Sequence, residues 1–273
     1  MKNKSAPLVM PFGVWIVLFT VAPLGLVVFF ALTNGNGKLS PDSLAAILNY
    51  LPIFGRSIWL GLLSTVICLV MGYPIAYIIS RAKGVSQQTM VMLIMLPQWM
   101  NFLLRTYAWM TLLENNGIIN RVLGAVGIGP LRVMGTSGAI LLGMVYNFLP
   151  FMILPIYSVM TKIDNRVTDA AHDLGADGFG VLRRIILPLS LPGIFTGITM
   201  VFVPAVSTFV ISRLLGGGKN MLIGDLIEDK FVGSAANFNV GSALSLVLMA
   251  LMVLSMTVMN KFDDSDEMGG LMV

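Results

Sequence analysis

Six apolar runs, at 11–32, 57–80, 89–113, 137–161, 187–212 and 240–260, leave this chain few ways to fold. Each is long enough to cross the hydrocarbon layer of a bilayer, which takes about 20 residues as an α-helix. Inside that layer backbone N–H and C=O groups have no water to bond, so a run of this length is expected to be helical. The charges respect the limits of these runs. All thirteen Asp and Glu lie outside them, and so do sixteen of the seventeen Lys and Arg, Arg105 being the exception. Only 11% of the residues are charged, where a soluble domain carries about 25%, and mean hydropathy is +0.87. The expected fold is an all-α integral membrane protein of six transmembrane helices. A single transmembrane domain over 1–273 is expected, because no long linker, low-complexity tract or internal repeat divides it.

The first run follows Lys2 and Lys4 and is longer than a signal-peptide core; it ends in FALTNG without a clear small-x-small site. It reads as a retained anchor. With the N-terminus inside, the inner segments 1–10, 81–88, 162–186 and 261–273 hold nine Lys and Arg, against seven in the longer outer segments. That bias has the sign of the positive-inside rule and places both termini in the cytoplasm. The net charge of +4 then reflects topology, and no basic cluster suggests a nucleic-acid partner. The one cysteine, Cys68, lies inside the second run, so neither a disulfide framework nor a thiolate metal site is expected.

Prolines 23, 74, 97, 150, 155, 192 and 204 lie inside the first five runs, where each removes a backbone hydrogen bond and bends a helix. Between runs, 117–127 places Ile118, Ile119, Val122, Leu123 and Val126 on one helical face, suited to lying along the bilayer or capping the bundle. The most informative polar segment is 164–188. Asp164 is placed to cap a helix whose Val167, Ala170, Ala171 and Leu174 share a face, and Gly175 to end it in the left-handed region. Asp177 is placed to start a second helix with Phe179, Leu182, Ile185 and Ile186 on one side, and Pro188 opens the fifth run. A helical stripe kept in so polar a stretch points to a docking surface for another protein.

The spacing Asp169-Ala170-Ala171, three residues, Gly175, nine residues, Ile185-x-Leu187-Pro188 resembles the EAA loop of ABC importer permeases, with Asp169 in place of the usual Glu. Other segments are similar to the first permease subunit of spermidine/putrescine transporters. They are Gly72-Tyr73-Pro74, Gln98-Trp99-x-Asn101-x3-Arg105-x-Tyr107, Leu149-Pro150-Phe151-Met152, Pro155-Ile156-Tyr157-Ser158, and Gly216-Gly217-x-Lys219-Asn220-x-Leu222-Ile223-Gly224. The resemblance implies a type I importer permease of the bacterial inner membrane, with polyamine as solute and related small solutes as the alternative. It implies a second, homologous permease, two cytoplasmic ATPases and an extracytoplasmic binding protein as partners. Asp169, Ala170, Ala171, Leu174, Gly175, Ile185, Leu187 and Pro188 would couple to the ATPase. No cofactor is expected on this chain, ATP and magnesium belonging to the ATPase.

The chain's own motifs agree with that division of labour. A P-loop needs G-x4-G-K-[ST]; the nearest segment, Gly216-Gly217-Gly218-Lys219, lacks the first glycine and is followed by Asn220. Gly135-Thr136-Ser137-Gly138 has the form of a serine nucleophile motif. Its base would have to be His172, the one histidine, on the opposite side of the membrane. An ion-coupled carrier acting alone usually keeps an acid or histidine within the membrane, and the runs contain neither. No catalytic set is therefore expected. Arg105 is expected to snorkel toward water or to pair with a carbonyl or a partner subunit. Its alternative is a place in the translocation path with Trp99, Asn101 and Tyr107, whose aromatic faces suit ammonium groups. Asp225, Glu228 and Asp229 form a candidate outer acidic patch for a binding protein or a cationic solute.

Overall fold

The computed structural model describes residues 6–34, 38, 40, 42–127, 129–218, 220–233 and 236–269. Among them no strand is present and helices carry nearly the whole chain. Four helical stretches are long and apolar enough to cross a membrane: Pro11–Leu32, Ala46–Arg81, Ser137–Met160 and Phe238–Met259. A fifth is a pair, Gly178–Leu189 and Leu191–Ser207, bent by 66°. We number the helices α1 (6–32), α2 (Ala46–Arg81), α3 (Val85–Met95), α4 (Phe102–Leu113), α5 (Ile118–Ala125), α6 (Ser137–Met160), α7 (Asn165–Asp173), α8 (Gly178–Leu189), α9 (Leu191–Ser207), α10 (Val210–Leu215), α11 (Ile223–Val232) and α12 (Phe238–Gly269).

Two of the expected spans are not continuous. The third, 89–113, breaks between α3 and α4. A 3-10 turn at Leu96–Trp99 carries Pro97 in its first positions, and Met100 is extended at ψ 147°. Asn101 then opens α4 by accepting from the Leu103 and Leu104 amides at 2.8 and 3.4 Å. A proline with no N–H followed by a residue whose side chain replaces the missing partners is enough to end one helix and begin another. The fifth span, 187–212, is bent near Ser190 and ends at Ser207; Thr208 is extended at ψ 142° before α10 starts. The other prolines of these spans stay inside helices. π turns at Val17–Val21 and Leu182–Ile186 lie just ahead of Pro23 and Pro188. A proline ring excludes the carbonyl four residues back, and a wider turn relieves that clash.

The chain divides into two compact units, Met1–Phe54 with Leu226–Val253 and Gly55–Asp225 with Leu254–Val273. In the first, α1 is almost wholly exposed over 11–32, as a helix that meets lipid or another subunit must be. Its C-terminal end is held to the start of α12 by Asn239 Nδ2, which donates to the carbonyls of Phe30 and Thr33 at 2.9 and 2.7 Å. Lys230 Nζ lies 5.9 Å from the centroid of the Tyr50 ring.

The second unit is built on α6 packed against α9. Their backbones approach closely because α9 presents Gly193 and Gly197 to α6. A Cβ on Gly193 would stand 2.9 Å from the Pro155 carbonyl oxygen and 3.0 Å from Ile156 Cα. One on Gly197 would meet Met152 Sδ at 2.8 Å. Membrane helices have no hydrophobic drive toward each other, so small residues four apart are what allow close packing. Met144, Met152, Ile156, Ile186, Val201 and Ile211 are among the fully buried side chains of this core.

Candidate functional site

The segment between α6 and α9 is an elbow whose parts are each closed by a local hydrogen bond. Asp164 caps α7, its carboxylate accepting from the Arg166 amide at 2.9 Å. At the other end Gly175 has φ +83°, which glycine adopts without the Cβ penalty of other residues. The Gly175 amide donates to the His172 carbonyl at 2.9 Å and the Ala176 amide to the Ala171 carbonyl at 3.0 Å, the two bonds of a Schellman motif. Asp177 restarts the chain as α8, accepting from the Gly180 amide at 2.9 Å. Asp164, Gly175 and Asp177 thus end and start helices where the sequence places those ends.

The structure divides the stripe of α7. Thr168 and Ala171 are buried, Ala171 within the core of its own unit. Val167, Ala170 and Leu174 turn outward, Leu174 being 90% exposed. Ala171 therefore seats the elbow on the bundle, where the sequence placed it on the outer contact face. On α8 the split is similar. Val181 and Ile186 are buried, Ile185 packs against the core, and Phe179 is 68% exposed. Leu187 and Pro188 are exposed at the bend. Asp169 is exposed and lines an open recess of about 630 Å³ with Arg81, Lys83, Gln87, Tyr157 and Thr161.

At the root of the elbow the Tyr73 hydroxyl and Ser190 Oγ lie 3.2 Å apart, joining α2 to the residue at the bend. Ser190 also donates to the Leu187 carbonyl at 3.0 Å and is wholly buried. Gly72 beside it would bring a Cβ to 3.1 Å from Met152 Cγ. Gly72-Tyr73 therefore serves the elbow's attachment. Tyr73 and Ser190 were not among the expected site residues; the two lie 117 positions apart, and hydroxyls are too common in the apolar runs for the sequence to pair them.

The four candidates of the third span separate. Trp99 is 74% exposed on the break and Tyr107 is exposed on α4. Asn101 is spent on capping α4. Arg105 does not snorkel: it is 6% exposed, and its Nη2 donates to Gln98 Oε1 at 3.3 Å. Gln98 Nε2 in turn donates to the Asn147 carbonyl on α6 at 3.0 Å.

The segment before α11 is equally ordered in its described residues. Gly217 and Gly218 have φ +59° and +72°, and Asn220 Nδ2 donates to the Gly135 carbonyl at 2.7 Å. The Ile223 amide donates to Ser57 Oγ at 2.8 Å. Asp225 accepts from the Leu222 amide at 2.8 Å and is only 5% exposed, so it closes the start of α11 and does not belong to a surface patch. Glu228 and Asp229 remain partly exposed. Lys219 lies outside the described residues. Gly135-Thr136-Ser137-Gly138 is the entry to α6, where Thr136 Oγ1 accepts from the Ala139 amide at 3.3 Å. His172 Nδ1 lies 3.0 Å from the Ala176 carbonyl, on the exposed side of the elbow.

A helical bundle with broken spans and a capped elbow defines a class, and residues 122–264 match in sequence the binding-protein-dependent transport system inner membrane component. The chain belongs to that family: it is a multi-pass inner-membrane permease subunit of the ABC importer class. Among its relatives is the spermidine/putrescine transport system permease protein PotB of Haemophilus influenzae, 38% identical over 250 residues, covering 88% of this chain and 87% of that one. The protein of the same name from Escherichia coli (strain K12) is 34% identical over 254 residues, covering 89% and 92%. A bacterial ABC transporter that imports the acidic polysaccharide alginate shares the fold at TM-score 0.82 and 14% identity, covering 95% of this chain and 94% of its own. The MetNI methionine ABC transporter, in inward-facing conformations, does so at TM-score 0.62 and 16% identity, covering 81% and 97%.

Proposed function

We propose that this chain is the permease subunit of an ATP-driven polyamine importer and that the elbow at 164–188 receives the motion of a cytoplasmic ATPase. The observation that carries the coupling role is the pairing of two exposed apolar knobs, Leu174 and Phe179, with a backbone locked by caps at both ends. Rigid local geometry with an unpaired apolar face suits a lever that must transmit a displacement rather than absorb it. In this reading Leu174 and Ala170 meet the ATPase, Asp169 keeps the charge of the family motif, and Ala171, Gly175, Ile185, Leu187 and Pro188 fix the elbow's shape and its join to α9.

The spermidine/putrescine names of the relatives support polyamine as the solute. The working assembly is then a heterodimer of this permease and a second one, two ATPases holding ATP and magnesium, and an extracytoplasmic binding protein. Both termini lie in the cytoplasm, and the chain itself binds no cofactor. Trp99 and Tyr107, exposed beside a helix break, are placed to line the path, since broken helices are where transport folds hold their solutes. Glu228 and Asp229 are placed to attract a cationic solute or its carrier. The test is uptake of labelled spermidine by liposomes holding the whole assembly. ATP-dependent uptake that is abolished by Leu174→Asp, with the variant still inserted, is the expected result. Uptake by the purified chain alone would refute it.

A further inference from the structure

The steps above leave unused the one charge that lies inside an apolar run. Arg105 stands on α4 with 6% of its surface exposed. Its Nε and Nη1 have no hydrogen-bond partner, and the same is true of the buried Asn147 Oδ1. Only Nη2 is engaged, on Gln98 Oε1 at 3.3 Å. Gln98 sits in the 3-10 turn of the broken span, and its Nε2 bonds the Asn147 carbonyl of α6 at 3.0 Å. Asn147 Nδ2 is itself tied to the Gly143 carbonyl at 2.8 Å. A guanidinium on one helix and a carbonyl on another therefore grip one side chain of the turn from its two ends.

That turn needs an outside hold. Within it the Met100 amide reaches the Pro97 carbonyl at 3.2 Å, and Met100 itself is extended. Non-helical backbone at membrane depth persists where protein around it supplies partners. Gln98 is the turn's side chain that bonds to other elements, and Trp99, the next residue, is the exposed ring we place on the path. We infer that Arg105 is a positioning residue for transport: acting through Gln98, it fixes the turn at 96–101 against α6 and so sets how Trp99 is presented to the solute. This rests on the reading of Trp99 as a path residue. Because one donor is used, the linkage asks for a hydrogen bond at Gln98 Oε1 and not for the planar fork of arginine. A lysine, with three donors on a long stem, can supply it.

The test uses the complete assembly in liposomes, with Trp15, Trp59 and Trp109 of this chain replaced by Phe so that Trp99 alone reports for it, in partners likewise lacking tryptophan. Arg105→Met is expected to alter acrylamide quenching of Trp99 and to raise the KM for spermidine about tenfold, with kcat moved much less. Gln98→Leu should do the same, and the double variant should be no worse than either single one, as for two members of one linkage. Arg105→Lys should recover most of the wild-type quenching and KM. Unchanged quenching in Arg105→Met, additive losses in the double variant, or an Arg105→Lys as impaired as the Met form would each overturn the inference. Should Arg105→Met fail to assemble, Gln98→Leu and Arg105→Lys still decide it by quenching. Quenching needs no solute, so a wild-type assembly that ignores spermidine would refute the polyamine reading and leave this one standing on its own arm.

Discussion

Leu174 and Gly175 are neighbours with separable duties. Leu174 touches little in its own chain, so Leu174→Ala should leave the fold intact and weaken capture of the ATPase subunit several-fold, as loss of an apolar anchor does at an interface; co-purification of the ATPase from detergent measures this. Gly175 holds φ +83°, and a β-carbon there costs roughly 1 kcal/mol. Gly175→Pro is harsher, since it also removes the amide that bonds His172. It should insert normally and yet fail to couple ATP hydrolysis to uptake; equal uptake by this variant would count against the lever. Asp225 separates from Glu228 and Asp229 by the same logic. Asp225→Ala exposes a helix end and should lower the melting temperature of the solubilised protein. Glu228→Gln with Asp229→Asn should slow uptake at low salt and do so less at high salt, because attraction to partly exposed charges is screened by salt. The distinction is a local one: Asp225 stands third in α11 and accepts from the Leu222 amide, three residues back, at 2.8 Å, the reach of an acid at a helix start, whereas Glu228 and Asp229 lie too far along the helix to do so.

At the level of helices, the ends of the elbow were legible and the continuity of two spans was not. Caps are local: Asp164, Gly175 and Asp177 act within three or four residues, so the sequence alone places them. Hydropathy is a sum, and it scores Leu96, Trp99 and Met100 as membrane residues whatever their dihedrals. The marker of the break was the pair Pro97 and Asn101, a missing donor followed by a cap. Likewise Gly193-x3-Gly197 carries the close packing of α9 on α6, a spacing with that meaning in any apolar helix. Gly193→Leu should force the pair apart and lower the melting temperature, overpacking of this kind costing about 1–3 kcal/mol. A variant as heat-stable as the parent would show that the contact yields without cost. Asn101→Ala, which removes a cap worth about 1 kcal/mol, should loosen the start of α4 and be seen as faster amide exchange at Leu103 and Leu104.

For the whole molecule, class followed from the exclusion of charge, and family from the spacing of one loop. The division into units did not, because each unit unites stretches far apart in sequence. Asn239 bonds Phe30 and Thr33 across more than 200 positions, and no local pattern announces such a pairing. The same holds for the hydroxyl contact between Tyr73 and Ser190. Its mechanical meaning reaches beyond the elbow. Ser190 stands where the chain turns by 66°, so under the proposed coupling role a displacement of the elbow would meet a fork: one branch follows the chain round the bend into α9, the other crosses through the hydroxyl contact to α2. Any tilt of the elbow must drag α2 along or break that tether. Tyr73→Phe would cut the side branch while sparing the main one, leaving two helices that now answer the same push at different times.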